Sequence, residues 1–204
     1  MELVNSSGTV ITDAVLRSQN PLVSFPATLQ AADVAPYGYF IVQQTTPPVP
    51  SQFYTVAEGV PTETNGVWSQ TWVQTPVALA SAQASQAQVL NNACANAITS
   101  GFTSSALGSA YTYPSGVTDQ QNLTASVLAS LLPSLAEGWT TPFWCANSSG
   151  VWAWTNHTAA QIQQVGTDAK TAILASQSQN ATLQAQIAAA TTVDAVAAIT
   201  WPAA

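Results

Sequence analysis

The 204-residue chain is long enough for one medium domain or two small ones, and its 47% apolar content supports a packed core. Only 5% of its residues are charged, against about 25% in an ordinary soluble protein, and two cations, Arg17 and Lys170, face nine acids for a net charge of −7. Two isolated cations cannot displace the counterions of a phosphate backbone, so nucleic-acid binding is all but excluded, an anionic membrane surface is disfavoured, and no apolar run reaches the roughly 18 residues that membrane insertion needs.

The start, Met1-Glu2-Leu3-Val4-Asn5, has neither the basic nor the apolar segment of a signal peptide. The Asn-x-Ser/Thr sequons at Asn5, Asn122, Asn147, Asn156 and Asn180 therefore read as a consequence of composition. From about residue 8 to 76 the local signals are for strands and turns. Thr12 to Gln19 fits a short helix or an edge strand, and Pro21 and Pro26 bracket a short extended piece. Tyr37 to Val42 and Phe53 to Ala57 are aromatic and β-branched runs, the first stopped by Pro47, Pro48 and Pro50. Asn65-Gly66 signals a turn, and Val67 to Thr75 places Trp68 and Trp72 on one face by period-two counting. These pieces predict a small antiparallel, meander-like sheet.

Pro76 to about Gly101 is strongly helical, with eight alanines and a face traced by Leu79, Ala82, Gln86, Val89, Ala93 and Ala97, flanked by Leu90, Cys94 and Ile98. Gly101 is placed to stop that helix. Tyr111 to Gly116 reads as extended, and Thr118 or Asp119 caps a helix running to Leu132, which Pro133 ends. An aromatic hairpin follows, turning around Asn147-Ser148-Ser149-Gly150. Thr158 is the N-cap of a long final helix, and Thr192 caps a short one from Val193 to Ile199. In the long helix Ile162, Ala169, Ser176, Leu183 and Ala190 are spaced by seven, with Ile173, Asn180 and Ile187 forming a second row. Two such rows make a coiled-coil-like seam, loosened at Gly166; a single amphipathic helix lying on its own domain is the other reading.

Little in the chain carries chemistry. His157 is the one histidine and suits packing or capping near the hairpin-to-helix junction, with no ligand-like spacing to Cys94, Cys145 or the acids. The cysteines read as small buried hydrophobes rather than a disulfide framework. No nucleophile motif, phosphate loop or dinucleotide fingerprint is present, so the expectation is a non-enzyme with no catalytic residues, no metal and no cofactor. Seven tryptophans remain, and they read first as core and interface anchors and second as a sugar-stacking row.

The Ala-rich helix, "SGFTSSALGSAYTYPSGVTDQQNL" with Asp119-Gln120-Gln121-Asn122-Leu123, "CANSSGVWAWTNHTAAQIQQVGTDAK" and "LQAQIAAATTVDAVAAITW" follow one another in a distinctive order. Over about residues 77 to 202 the chain resembles a domain of unknown function found at the C-terminal end of small bacteriophage tail proteins. "LRSQNPLVSFPATL" and "NGVWSQTWVQT" resemble the segment that often precedes it in tail-fibre-associated proteins. The resemblance implies a virion component or a tail-fibre assembly factor, and it supplies no catalytic residues. The near-absence of Lys and Glu in the final helix is where this chain departs from it.

The resulting expectation is an α+β protein. A β-rich N-terminal docking region, residues 1–76, precedes a mainly helical C-terminal domain, residues 77–204, with its hairpin around 139–156. Its expected function is structural, in a phage tail fibre or baseplate that attaches or forms the host-recognition apparatus. Alternatives are a tail-fibre assembly chaperone and a carbohydrate-binding recognition module, with a depolymerase-type enzyme behind them. Expected partners are other tail proteins and copies of itself, a trimer being favoured, with a host-surface glycan as a further partner. The expected location is the virion, and the bacterial cytoplasm during assembly. Ile162, Ile173, Asn180, Leu183, Ile187 and Trp201 form the candidate interface, because uncharged polar faces pack against identical copies without repulsion. Trp144, Trp152 and Trp154 form the candidate aromatic surface.

Overall fold

A computed structural model describes residues 1–202; the last two positions of the expected C-terminal domain lie outside the described residues. The chain is α+β and divides into two compact units, Met1–Ala78 and a second that begins at Leu79.

In the first unit β1 (Glu2–Asn5) and β2 (Val10–Thr12) form a hairpin whose turn is tied by Asn5 Oδ1, which accepts the Ser7 and Thr9 amides at 3.1 and 2.8 Å. Thr12 then caps the helix α1 (Asp13–Gln19), its hydroxyl accepting from the Val15 amide. That resolves 12–19 as helix. The Pro21–Pro26 piece forms no strand: its carbonyls turn inward to Arg17, whose Nη2 donates to Pro26 O at 2.6 Å. After α2 (Ala31–Val34), β3 (Tyr39–Gln43) pairs antiparallel with β1, burying Leu3, Leu16, Leu29 and Val34 in one core.

The rest of this unit departs from a meander. The strand expected from Val67 to Thr75 is broken at Gln70–Thr71 into β6 (Val67–Ser69) and β7 (Trp72–Pro76), which join different sheets. β6 pairs parallel with β3 and antiparallel with β5 (Thr62–Thr64) across the Asn65-Gly66 turn, while β7 pairs with β4 (Tyr54–Glu58). Gln70 explains the break. Its buried amide accepts from Thr45 N at 3.1 Å and donates to Glu58 Oε1 at 2.6 Å, so it serves three segments and cannot continue one strand. Trp68 and Trp72 accordingly part: Trp68 stacks on Phe40, and Trp72 Nε1 donates to Thr45 Oγ1.

The second unit opens with α3 (Leu79–Thr99). Its buried row is Ala82, Gln86, Leu90 and Cys94, and Val89, expected inside, is 54% exposed. Gly101 ends the run with φ +113, and a Cβ there would meet Tyr113 O at 2.8 Å, so only glycine fits. The strands β8 (Phe102–Ser104), β9 (Tyr111–Tyr113), β10 (Thr140–Ala146) and β11 (Trp152–Thr158) form an antiparallel sheet in the order β11-β10-β9-β8. Between β9 and β10 lies α4 (Val117–Ser130), whose N-terminus is held by Asp119 Oδ2 accepting from the Gly116 amide. The long helix α5 (Ala159–Ala189) starts at a reciprocal cap: Thr158 Oγ1 accepts from Gln161 N, and Gln161 Oε1 accepts from Thr158 N. A short α6 (Val193–Ala197), capped by Thr192, closes the unit.

Two clusters hold these elements. Phe102, Tyr113, Leu123, Phe143, Cys145, Ile162 and Val165 pack between the sheet, α4 and α5. Leu90, Leu183 and Ile187 pack between α3 and α5, with Trp201 laid against them. Burying Ile162 completely contributes about 1.5–3 kcal/mol. Gly166 does not loosen α5. A Cβ there would meet Val127 Cγ2 at 2.8 Å, so the glycine lets α5 pack closely against α4.

The uncharged polar residues also serve the interior. Gln83 Nε2 donates to Ile187 O and Ala190 O, and Gln86 Nε2 to Ile199 O at 2.6 Å. Gln184 Nε2 donates to Ala87 O, and Gln163 Nε2 to Ser130 Oγ. An amide that joins two helices leaves no charge to desolvate, which Lys or Glu at the same position would.

Candidate functional site

Two places gather chemistry-bearing side chains, and they differ in access. The first is sealed. Tyr113 on β9 and His157 on β11 point into the main cluster, both 0% exposed, with Tyr113 Oη 2.8 Å from His157 Nε2. His157 Nδ1 lies 2.8 Å from Thr155 O, and a carbonyl only accepts, so Nδ1 carries the proton and Nε2 accepts from the Tyr113 hydroxyl. Burial lowers the histidine's pKa, with the Thr155 contact opposing it, and burial first and Cys145 second push the tyrosine well above its ordinary value. The pair is a neutral, satisfied core element, which is the packing role expected of His157. Cys94 and Cys145 are both free and buried, as expected of small hydrophobes. Among the described residues no group of three or more His, Cys, Asp or Glu gathers to hold a metal.

The second place is open. Strand pleating sends alternate residues of β10 and β11 to opposite faces. Phe143, Cys145 and His157 turn into the core, and Trp144, Trp152 and Trp154 turn outward. The turn fixes that register: Asn147 Oδ1 accepts from the Ser149 and Val151 amides at 3.0 Å each, and Asn147 N–H donates to Val151 O. Trp144 stands directly opposite Trp154, their centroids 5.5 Å apart and rings tilted by 57°, and Trp152 stacks on Trp144 at 6.2 Å. The three are 37%, 42% and 68% exposed at Trp144, Trp152 and Trp154. They thus stand together on one aromatic face of the hairpin.

An open groove of about 370 Å³ runs alongside it. Trp144, Trp154 and Pro142 form one wall, and Asp119, Asn122 and Ser126 of α4 form the other. Sequence reasoning did not find this second wall. Its signal was present as polar residues spaced by three and four along α4, a stripe that one helical face must share. Asp119 is the one carboxylate lining the groove, and no second acid stands with it there.

The candidate interface residues are placed differently. Ile162, Leu183 and Ile187 are buried within the second unit, and Trp201 is half-buried on Leu90, Leu183 and Ile187. Ile173 is half-buried beside Ala97, Ile98 and Ala169, and Asn180 Nδ2 donates to Asn91 Oδ1 at 2.9 Å. The seam therefore faces α3 and α4 of the same chain rather than another copy. Its uncharged character serves the amide contacts made there.

Residues 81–200 match the model of the family described as Domain of unknown function (DUF4376), which covers more than half of the sequence, and the chain belongs to that family. No curated protein and no solved structure matches it.

Proposed function

We propose that this chain is a non-catalytic structural component of a bacteriophage tail, fibre- or baseplate-associated, which attaches or forms part of the host-recognition apparatus. The observation that carries the reading is the Trp144–Trp152–Trp154 face. Three contiguous indoles left open on a rigid hairpin are a docking surface, since exposed aromatic area of this kind marks a contact still to be made. The hairpin is braced from behind by the Tyr113–His157 pair and by Phe143, so the face is presented without rearrangement. The motif order resembling small tail proteins supports reading the chain as a virion protein, with assembly in the bacterial cytoplasm. Trimerisation belongs to this proposal, on a surface other than the row Ile162, Leu183 and Ile187.

Quantitative mass spectrometry of purified virions tests it. Stoichiometric copies, in a multiple of three, are expected. Absence from mature particles, with presence in assembling lysates, would replace the reading with that of an assembly chaperone.

A further inference from the structure

We infer that the groove between α4 and the outer face of the hairpin binds a neutral pyranose, with Trp154 as the stacking platform and Asn122 and Asp119 as hydroxyl partners. The inference rests on the contact role proposed above and names the ligand class of that same face.

A pyranose has a C–H face that packs on an aromatic ring and an edge of hydroxyls that each donate and accept. The groove offers both in one place. Trp154, 68% exposed, and Trp144 are tilted by 57° to one another, so the aromatic wall is angled rather than flat. Across from them, the exposed Asn122 side chain makes no hydrogen bond among the described residues, so its amide is free to give one donor and one acceptor to neighbouring hydroxyls. Asp119 uses Oδ2 on the Gly116 amide, which orients the carboxylate and leaves Oδ1 as a fixed acceptor. Ala125, Ser126, Pro142 and Phe143 complete the lining. A volume of about 370 Å³ lies within the range of about 300–1,000 Å³ common to small-molecule sites, and the mix of apolar walls with a few convergent polar groups is the usual composition.

Charge selects among sugars. Neither Arg17 nor Lys170 lines the groove, Asp119 does, and the chain carries −7 overall. A uronic acid, a sialic acid or a phosphorylated sugar would be repelled, so the ligand is an uncharged hexose or N-acetylhexosamine.

The test titrates the purified full chain with glucose, galactose, mannose, N-acetylglucosamine, maltose and chitobiose, with glucuronate as the anionic control. Tryptophan fluorescence and saturation-transfer NMR are the readouts. At least one neutral probe should saturate with a Kd in the millimolar range. Trp154→Ala and Asn122→Ala, both on exposed positions and checked for an unchanged melting temperature, should each weaken it by about tenfold or more. Glucuronate should not bind. The inference fails if no neutral probe saturates below about 100 mM, or if both variants bind like the parent. A fluorescence change that follows protein concentration and ignores sugar also overturns it, assigning the face to a protein neighbour. Virion copy number is read independently. Stoichiometric copies without sugar binding sink this inference alone, and sugar binding by a protein missing from virions sinks the structural reading alone.

Discussion

Burial keeps both Tyr113 and His157 neutral in the core, and that fixes how stability must vary with pH. His157 has a pKa lowered by burial, so between its folded value and about 6.5 the unfolded chain holds a proton that the folded chain does not. Its contribution is complete above about pH 6.5 and is lost as pH falls below that value. The difference in urea midpoint between the parent and His157→Gln, followed from about pH 7.5 down to about pH 5, should therefore shrink. A constant difference would mean that the imidazole does not titrate differently on folding. Tyr113→Phe removes the one donor to Nε2 and should cost about 1–3 kcal/mol. Arg17 makes the complementary case in the first unit. Its guanidinium donates to Phe25 O, Pro26 O and Ala27 O and lies 5.7 Å from the Phe25 ring centroid. Lysine keeps the charge but cannot fan donors over three carbonyls, so Arg17→Lys should lower stability by about 1–2 kcal/mol in denaturant melts, where a surface charge would be neutral.

At the scale of elements the sharpest expectation concerns Gly166. Alanine gains about 1 kcal/mol of helix propensity over glycine, yet its Cβ would sit 2.8 Å from Val127 Cγ2, and a β-branched neighbour cannot swing aside. Gly166→Ala should destabilise by about 1–3 kcal/mol in the parent and stabilise in a Val127→Ala background. A melt series over the four proteins reads that change of sign. Gln86→Leu should likewise expose α6: the Ile199 carbonyl loses its donor, and hydrogen exchange at Val196 and Ala198 should accelerate while that of α4 holds. These two residues also mark the limit of what could be read in advance. Thr158, Thr192, Asn65-Gly66 and the Asn147–Gly150 turn were legible, because a cap or a tight turn is satisfied within about four residues of chain. The outward Trp144, Trp152 and Trp154 followed from strand alternation, equally local. Gly166 read as a weakness because its partner lies on another helix, and Gln86, placed on the inner face of its helix, gave no sign of its acceptor because Ile199 lies 113 residues away. The same holds for the groove: Asp119 and Asn122 look ordinary until the fold sets them opposite Trp154. The parallel β3–β6 ladder was invisible too, since Gln70 becomes a breaker only once Thr45 and Glu58 reach it.

For the whole molecule, the row Ile162, Leu183 and Ile187 decides between two ways of being stable. If those residues met another copy, folding would be coupled to association, and the melting temperature would rise with protein concentration. In the structure they pack against α3, α4 and the sheet of their own unit, and Gln83, Gln86 and Gln184 join the same helices through backbone carbonyls. A piece spanning residues 79–202 therefore contains its cores, its caps and the whole of the family match, residues 81–200. Expressed alone, it should melt cooperatively and stay folded at the dilute end of a hundredfold range of about 1–100 μM, because its cores need no second copy. Ile187→Asp places a carboxylate at a position 3% exposed with no cation near it, and should unfold that piece at every concentration rather than release monomers from an oligomer. Circular dichroism with light scattering separates these outcomes. A folded Ile187→Asp monomer beside an oligomeric parent would return the seam to the interface. Loss of the fold at every concentration leaves the exposed leucines at the end of α4 and just beyond it, Leu128, Leu131 and Leu132, as the surface through which trimerisation has to be sought.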